Sequence, residues 1–379
     1  MRASGDPSFS SRYWDSGRAA LRALADSVSA AGIERITGRV VVDATPWDSA
    51  TVGPTWEFAD LPYRYGATGS IFAIDEGEIE LVVESGPTVG ANATVTWSPG
   101  SDEYVRPRVE TVPADSGRSI QTSYLPESRR LVVQGGIPLG RTDTLYVAQR
   151  DPVGVALEEA SNAFDHAGIE VEQGWEVDWG DDGAGCGAVR PRCERAVASI
   201  SSPPLAELVA GILEPSQNWM TEQLIRTLGA HFGEEGSWAE GTDVVERFLV
   251  DDVGVDSMDL SPRDGSGLSA YNLVTPRAMV RVLQAMADGP YASEFRSAMA
   301  EPSEEGSTLE ERLTGLEGRV FAKTGTISNV NSLSGYLVGT DGRGVIFSVL
   351  TNGSGLPASR IRPMIDDIVR ELARTSNRP

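Results

Sequence analysis

The sequence predicts an α+β protein organised around an antiparallel sheet. Three observations carry that prediction. Short apolar and β-branched runs alternate with Gly, Pro and Asp turns from Glu78 to Arg150, a helical block covers most of 152–290, and the C-terminal part returns to three strands and one helix. At 379 residues and 40% hydrophobic, the chain can bury one large core or two smaller ones. Its 41 glycines and 22 prolines describe a turn-rich globular protein, without the low hydrophobicity of a disordered one.

Taken in order, Leu21, Leu24, Val28 and Ala31 stand at helical spacing and predict an amphipathic helix over 18–31, stopped by Gly32. The β-branched run GRVVVDAT follows, and then TPWDSATVGPTWEFADLPYRYGA, whose Pro, Trp and Gly content predicts a long ordered loop. The segments IELVVE, ATVTWS, RLVVQGG and TLYVAQR are predicted strands. This change of composition marks 38–150 as a β-rich subdomain, with 1–37 as the junction before it and 151–379 as the larger domain after it. Helical patterns then run through PVGVALEEASNAFDHAGI, LAELVAGILEPSQNWMTEQLIRTLGAHFG, WAEGTDVVERFLVDDVG and TPRAMVRVLQAMADG. Strands return in GRVFAKTGT, NSLSGYLVGT and GVIFSVLTNG, and an amphipathic helix closes the pattern at 358–374. No internal repeat of solenoid period is present.

Composition removes several classes of function. A formal charge of −23 argues against a nucleic-acid partner, since phosphate binding depends on clustered Lys and Arg. No segment approaches the roughly 18 consecutive apolar residues of a membrane span. His166 and His231, the only histidines, lack a metal-ligand spacing to Cys186 and Cys193, so neither a metal nor a cofactor is expected. The two cysteines share the loop DDGAGCGAVRPRCE, where one short disulfide would fit an exported protein. The opening residues RASGDPSFSSRYW contain no apolar run of the signal-peptide kind.

The 32 basic residues comprise 31 arginines and a single lysine, Lys323. That lysine lies in Lys323-Thr324-Gly325-Thr326, within a strand-like apolar run. Upstream, Ser216-Gln217-Asn218 sits between two helical patterns, where Ser216 could simply cap the second helix. An SxN triplet on a helical segment followed by KTG on a strand resembles two of the three elements of penicillin-recognising serine enzymes. The wider text sharpens the resemblance: Gly5-Asp6-Pro7, SPPLAELVAGILEPSQNWMTEQLIRTLG, DGSGLS from Asp264 to Ser269 with YNLVTPRAM, and AKTGTISNVNSLSGYL. On these the chain resembles the D-alanyl-D-alanine carboxypeptidase/endopeptidase family, of the penicillin-binding-protein-four type, over essentially its whole length.

The resemblance implies a β-lactamase/transpeptidase-like domain, an antiparallel sheet with a helical block, carrying an inserted β-rich subdomain. It also implies an extracytoplasmic or periplasmic enzyme acting on peptidoglycan stem peptides and recognised by β-lactam antibiotics. Ser216 would relay a proton, Asn218 orient the substrate amide, and Lys323 supply a positive charge for the substrate carboxylate and for proton movement. Thr324 and Thr326 would add hydroxyl donors, with the Thr326 amide as half of an oxyanion hole, and Gly325 would let substrate approach the backbone. Asp43 could reach an amino group of the peptide, or close a strand as a turn residue; Arg312 could bind a carboxylate, or lie on a solvated helix face. Asp264 is read as fixing a tight turn.

One departure stands out. The family acylates the serine of an SxxK motif, but the residue three before Lys323 is Val320, so these 379 residues contain no SxxK. The expectation drawn from this is a chain cut before that motif, which would also account for the missing export signal. A pseudoenzyme that binds wall peptide or β-lactam without hydrolysing it is the alternative. A β-lactamase is disfavoured by the DGSGLS element and the large β-rich region.

Overall fold

The computed structural model describes residues 1–99, 104–125, 130–180, 195–340 and 342–375. Cys186 and Cys193 lie outside the described residues, so the expected disulfide is not addressed by it. The chain divides into two compact units, Met1–Ser202 and Pro203–Pro379.

The first unit begins with α1 (Gly17–Ala30), whose Ser16 side chain accepts from the Ala19 amide and caps its open end. Strands β1 (Arg35–Ile36) and β2 (Val40–Asp43) follow. After a long segment with short 3-10 turns come β3 (Glu78–Glu84), β4 (Thr94–Ser98), β5 (Val105–Val112), β6 (Gln121–Leu125), β7 (Arg130–Pro138) and β8 (Thr142–Ala148). Helix α2 (Pro152–His166) and strands β9 (Glu170–Val171) and β10 (Trp175–Asp178) complete the unit. Helix α2 packs on α1, β9 pairs in parallel with β1, and β10 pairs in parallel with β2. Two helix–strand–strand passages therefore close on one another, and β3 to β8 stand between them in sequence. Those six strands form two three-stranded sheets, ordered β4-β3-β8 and β5-β7-β6. Alternate residues of β3 (Ile79, Leu81, Val83) and of β7 (Leu131, Val133) meet with Val105, Val109, Ile137 and Val147 in one apolar core.

The second unit holds α3 (Leu205–Leu213), α4 (Asn218–Phe232) and α5 (Trp238–Arg247), a short ladder of β11 (Leu260–Ser261) with β12 (Leu273–Val274), and α6 (Pro276–Asp288) and α7 (Ala292–Ser297). Strands β13 (Val320–Ile327), β14 (Val330–Val338) and β15 (Gly344–Asn352) then form an antiparallel sheet, followed by α8 (Ala358–Thr375). Period-2 alternation gives this sheet two apolar faces. Val320, Ala322, Leu333, Leu337 and Phe347 pack with Ile361, Ile365 and Val369 of α8. On the opposite face Phe321, Tyr336 and Ile346 pack with Leu213, Leu283, Phe295 and Met299, from α3, α6, α7 and the turn after α7. The sheet is thus the middle layer of a helix–sheet–helix sandwich, the antiparallel α+β arrangement the sequence predicts.

Helices α4 and α5 pack at very close range. A Cβ at Gly241 would stand 2.1 Å from the Ile225 carbonyl oxygen, so only glycine permits this contact. That packing sets the direction of α4, whose N-terminal end carries the SxN triplet.

Candidate active site

Strand β13 is an edge of its sheet, and it brings Lys323 beside the turn between α3 and α4. Lys323 is paired across the sheet with Ser334, on the face that carries α6 and α7. Its Nζ donates to Ser216 Oγ at 2.5 Å and to the Thr324 carbonyl at 2.9 Å. The two residues are 107 positions apart in sequence. Among the described residues Lys323 forms no ion pair. With nothing negative to offset it, burial pushes the ammonium down from the ordinary lysine value of 10.5 to about 8. A cation held without a counter-charge against a hydroxyl has the character of a functional group, since nothing in the fold is gained by its charge.

Ser216 is not the helix cap. Gln217 holds that place, its side-chain oxygen accepting from the Met220 amide. Ser216 instead adopts φ +65°, in the left-handed region, immediately before the helix. This strained turn sets its hydroxyl toward Lys323. Asn218 follows as the first residue of α4, in the same turn. Buried Trp219 and Met220 anchor the start of the helix beneath it.

Thr324, Gly325 and Thr326 continue β13, each partnered with β14 on one side: Leu333, Ser332 and Asn331. On the other side, the only pairing among the described residues is the bridge from Ala322 to Ala300. From Lys323 onward the outer edge pairs with no strand among the described residues. Gly325 leaves room for the Ser332 hydroxyl, which would lie 2.4 Å from a Cβ there, and Thr326 Oγ1 accepts from Arg362 Nη2 at 3.2 Å.

The two weaker candidates are engaged within the fold. Asp43 ends β2 in the first unit, and its carboxylate accepts from the Thr45 amide and hydroxyl at 3.2 and 2.7 Å. This is an Asx-type turn closing a strand. Arg312 is largely buried and bidentate on Asp366 of α8, at 2.7 and 3.3 Å. It does bind a carboxylate, but one belonging to its own chain; holding a substrate there would require breaking that pair.

A buried carboxylate network behind the triplet was not foreseen. Glu222, one turn along α4 from Asn218, accepts from the Trp238 indole (2.7 Å) and from the amides of Gly265 (3.0 Å) and Ser266 (2.7 Å). Asp264 accepts from the amides of Gly267 and Ser269 and from the Asn272 side chain, which is the turn-fixing role expected of it. Burial, and next the Asp264 carboxylate, push Glu222 up to about 7. Glu222 thus ties the DGSGLS loop to the helix that begins at Asn218, while Asp264 folds the loop on itself. The sequence signal was available: a Glu four residues into a helix whose neighbours Trp219, Met220 and Ile225 are all apolar.

Edge strand, buried lysine, left-handed serine and anchored helix start thus meet at one place in the second unit. The sequence profile of the D-Ala-D-Ala carboxypeptidase 3 (S13) family matches residues 1–374, and the chain belongs to that family. A D-alanyl-D-alanine carboxypeptidase of an Actinomadura species is 29% identical over 368 residues, covering 93% of this chain and 65% of that protein. Carboxypeptidase DacB of Mycolicibacterium smegmatis is 26% identical over 94% of this chain and 63% of its own length. The chain therefore spans somewhat less than two thirds of these relatives. Its fold is similar to that of penicillin binding protein 4 from Haemophilus influenzae, with a TM-score of 0.81 at 20% identity over 98% of this chain and 81% of the other. The same protein complexed with a β-lactam aligns with a TM-score of 0.75. Among the described residues no helix is long and apolar enough to cross a membrane, and no group of three His, Cys, Asp or Glu residues could hold a metal ion.

Proposed function

We propose that the chain carries the recognition and proton-transfer side of a serine D-Ala-D-Ala carboxypeptidase/endopeptidase site, acting outside the cytoplasm on peptidoglycan stem peptides and bound by β-lactams. The observation that carries this reading is the unpaired ammonium of Lys323 on Ser216 Oγ, at the open edge of β13. An extended peptide would add to that edge by main-chain hydrogen bonds. Its terminal carboxylate would meet the Lys323 charge and the hydroxyls of Thr324 and Thr326, while Asn218 would orient the amide next to the scissile bond. In the hydrolytic reaction, a serine attacks the carbonyl between two D-alanines and its proton passes to the leaving amine. Ser216 and Lys323, already in contact, form a path for that proton, and a lysine near 8 can both hold and release one close to neutral pH.

The acylated serine of an SxxK motif is not among these 379 residues. The 379-residue chain by itself therefore binds without forming an acyl-enzyme. That absence also favours a second reading, a wall-peptide or β-lactam binder with no hydrolytic role. The first test is binding of N-acyl-D-Ala-D-Ala by calorimetry, with mass spectrometry after incubation with a penicillin. Saturable binding of the D,D peptide, weakened in Ser216→Ala and Lys323→Met and absent for the L,L peptide, supports the site. Lack of D,D binding, or binding indifferent to both substitutions, refutes it, and a covalent penicillin adduct would refute the account of the nucleophile.

A further inference from the structure

The edge strand is flanked by cations on both faces. Lys323 approaches from the face that carries α6 and α7. Thr324 and Thr326 point to the opposite face, which is covered by α8, and there Arg362 of α8 reaches Thr326 Oγ1. We infer that Arg362, held on Thr326, adds a second cation at the terminal carboxylate of a peptide paired along β13, a specificity residue beside the proton-handling Lys323. This deepens the proposed function and rests on it.

Four observations support the assignment. First, Arg362 is exposed, and its only polar contact among the described residues is Thr326. Its guanidinium therefore has no carboxylate partner among the described residues. Second, the acids along its own helix are already engaged: Asp366 with Arg312, Asp367 with Arg370 and Glu371 with Arg374. No acid of α8 competes for it. Third, one Nη2 proton on Thr326 leaves four N–H donors in the planar fork that matches a carboxylate bidentately. Fourth, Lys323 is already committed to the Ser216 hydroxyl and the Thr324 carbonyl, and near 8 its charge is incomplete in mildly alkaline conditions. A guanidinium stays charged throughout that range. The two cations thus suit different tasks, one permanent and held at the strand edge, the other able to give up its proton.

The chemistry selects ligands with a free C-terminal carboxylate, one residue beyond the reacting carbonyl. The test compares N-acyl-D-Ala-D-Ala with its C-terminal amide, by calorimetry on the 379-residue chain, in the wild type and in Arg362→Gln, Arg362→Lys and Thr326→Val. Wild type is expected to prefer the carboxylate. Arg362→Gln should cut that preference about fivefold, the scale of one exposed charge pair, and leave amide affinity unchanged. Arg362→Lys should restore part of the preference, and Thr326→Val should lower it by freeing the guanidinium from its anchor. A preference unchanged in Arg362→Gln, or equal losses for acid and amide, overturns the inference while leaving the proposed function standing. Failure of wild type to bind either ligand overturns both. Arg362 is exposed, so matching thermal unfolding of the variants will show that the fold is intact.

Discussion

Replacing Lys323 by methionine should make the protein more stable and its site useless. The ammonium is held at about 8 by burial alone, against 10.5 for an ordinary lysine. At about 1.4 kcal/mol per pH unit, keeping that charge in the fold at neutral pH costs about 3 kcal/mol. Methionine matches the aliphatic stem and removes the charge, but it leaves the Ser216 hydroxyl and the Thr324 carbonyl without their donor. At about 1 kcal/mol for each lost bond, the net gain is about 1 kcal/mol at pH 7. The sign of the pH dependence is fixed. Between about 8 and 10.5 the unfolded lysine still binds a proton that the folded one has released, so wild-type stability rises with pH through that window. Urea unfolding at pH 7 and near pH 10 should therefore show Lys323→Met ahead at the lower pH, with the advantage fading or reversing at the higher. Equal or lower stability of the variant at pH 7, or a difference that does not change with pH, would refute the reasoning.

Three further outcomes follow from the same structure. Glu222 keeps its proton to about 7 in the fold but releases it near 4.5 when unfolded, so its contribution is fully present below 4.5 and lost as pH rises through 7; urea midpoints should fall over this range more steeply in wild type than in Glu222→Gln, and parallel slopes would exclude it. Arg312→Leu alone strands a buried Asp366 carboxylate and should cost about 3 kcal/mol, whereas Arg312→Leu with Asp366→Leu should recover most of that and keep D,D-peptide affinity; loss of binding in the double variant would restore a substrate role for Arg312. Gly241→Ala places a Cβ against the Ile225 carbonyl and should cost about 1–3 kcal/mol by parting α5 from α4, measurable by thermal unfolding; a neutral result would mean that the two helices are not held at this distance.

What was legible in the sequence was whatever rests on local pattern or singular chemistry. Strands β3, β7, β13, β14 and β15 announce themselves by apolar alternation, and α1 and α8 by helical spacing. Lys323 is conspicuous because it is the only lysine. Strands β5 and β6 were missed for physical reasons: Pro107 and three arginine or glutamate side chains interrupt β5, which is an edge strand where proline is tolerated, and no residue of β6 is fully buried. The parallel pairing of β2 with β10 joins residues some 135 positions apart, and no local signal encodes it. At the site, the SxN triplet could be read, but the left-handed turn at Ser216 could not, because serine there is equally a good helix cap. The sequence left Arg312 open to a substrate carboxylate or a solvated helix face; the fold instead pairs it with the buried Asp366 of α8. Arg362 carries no local signal in the sequence; only the fold sets it beside Thr326.

The single lysine makes the central claim directly measurable. With ¹³C-labelled lysine, the 379-residue chain gives one side-chain signal, from Lys323, which can be titrated by NMR with and without N-acyl-D-Ala-D-Ala. The account predicts a free-chain pKa of about 8. It also predicts that the carboxylate peptide raises this value and shifts the signal saturably, because a bound anion favours the ammonium. An ordinary pKa near 10.5, or a signal that the D,D peptide leaves unmoved, would contradict it.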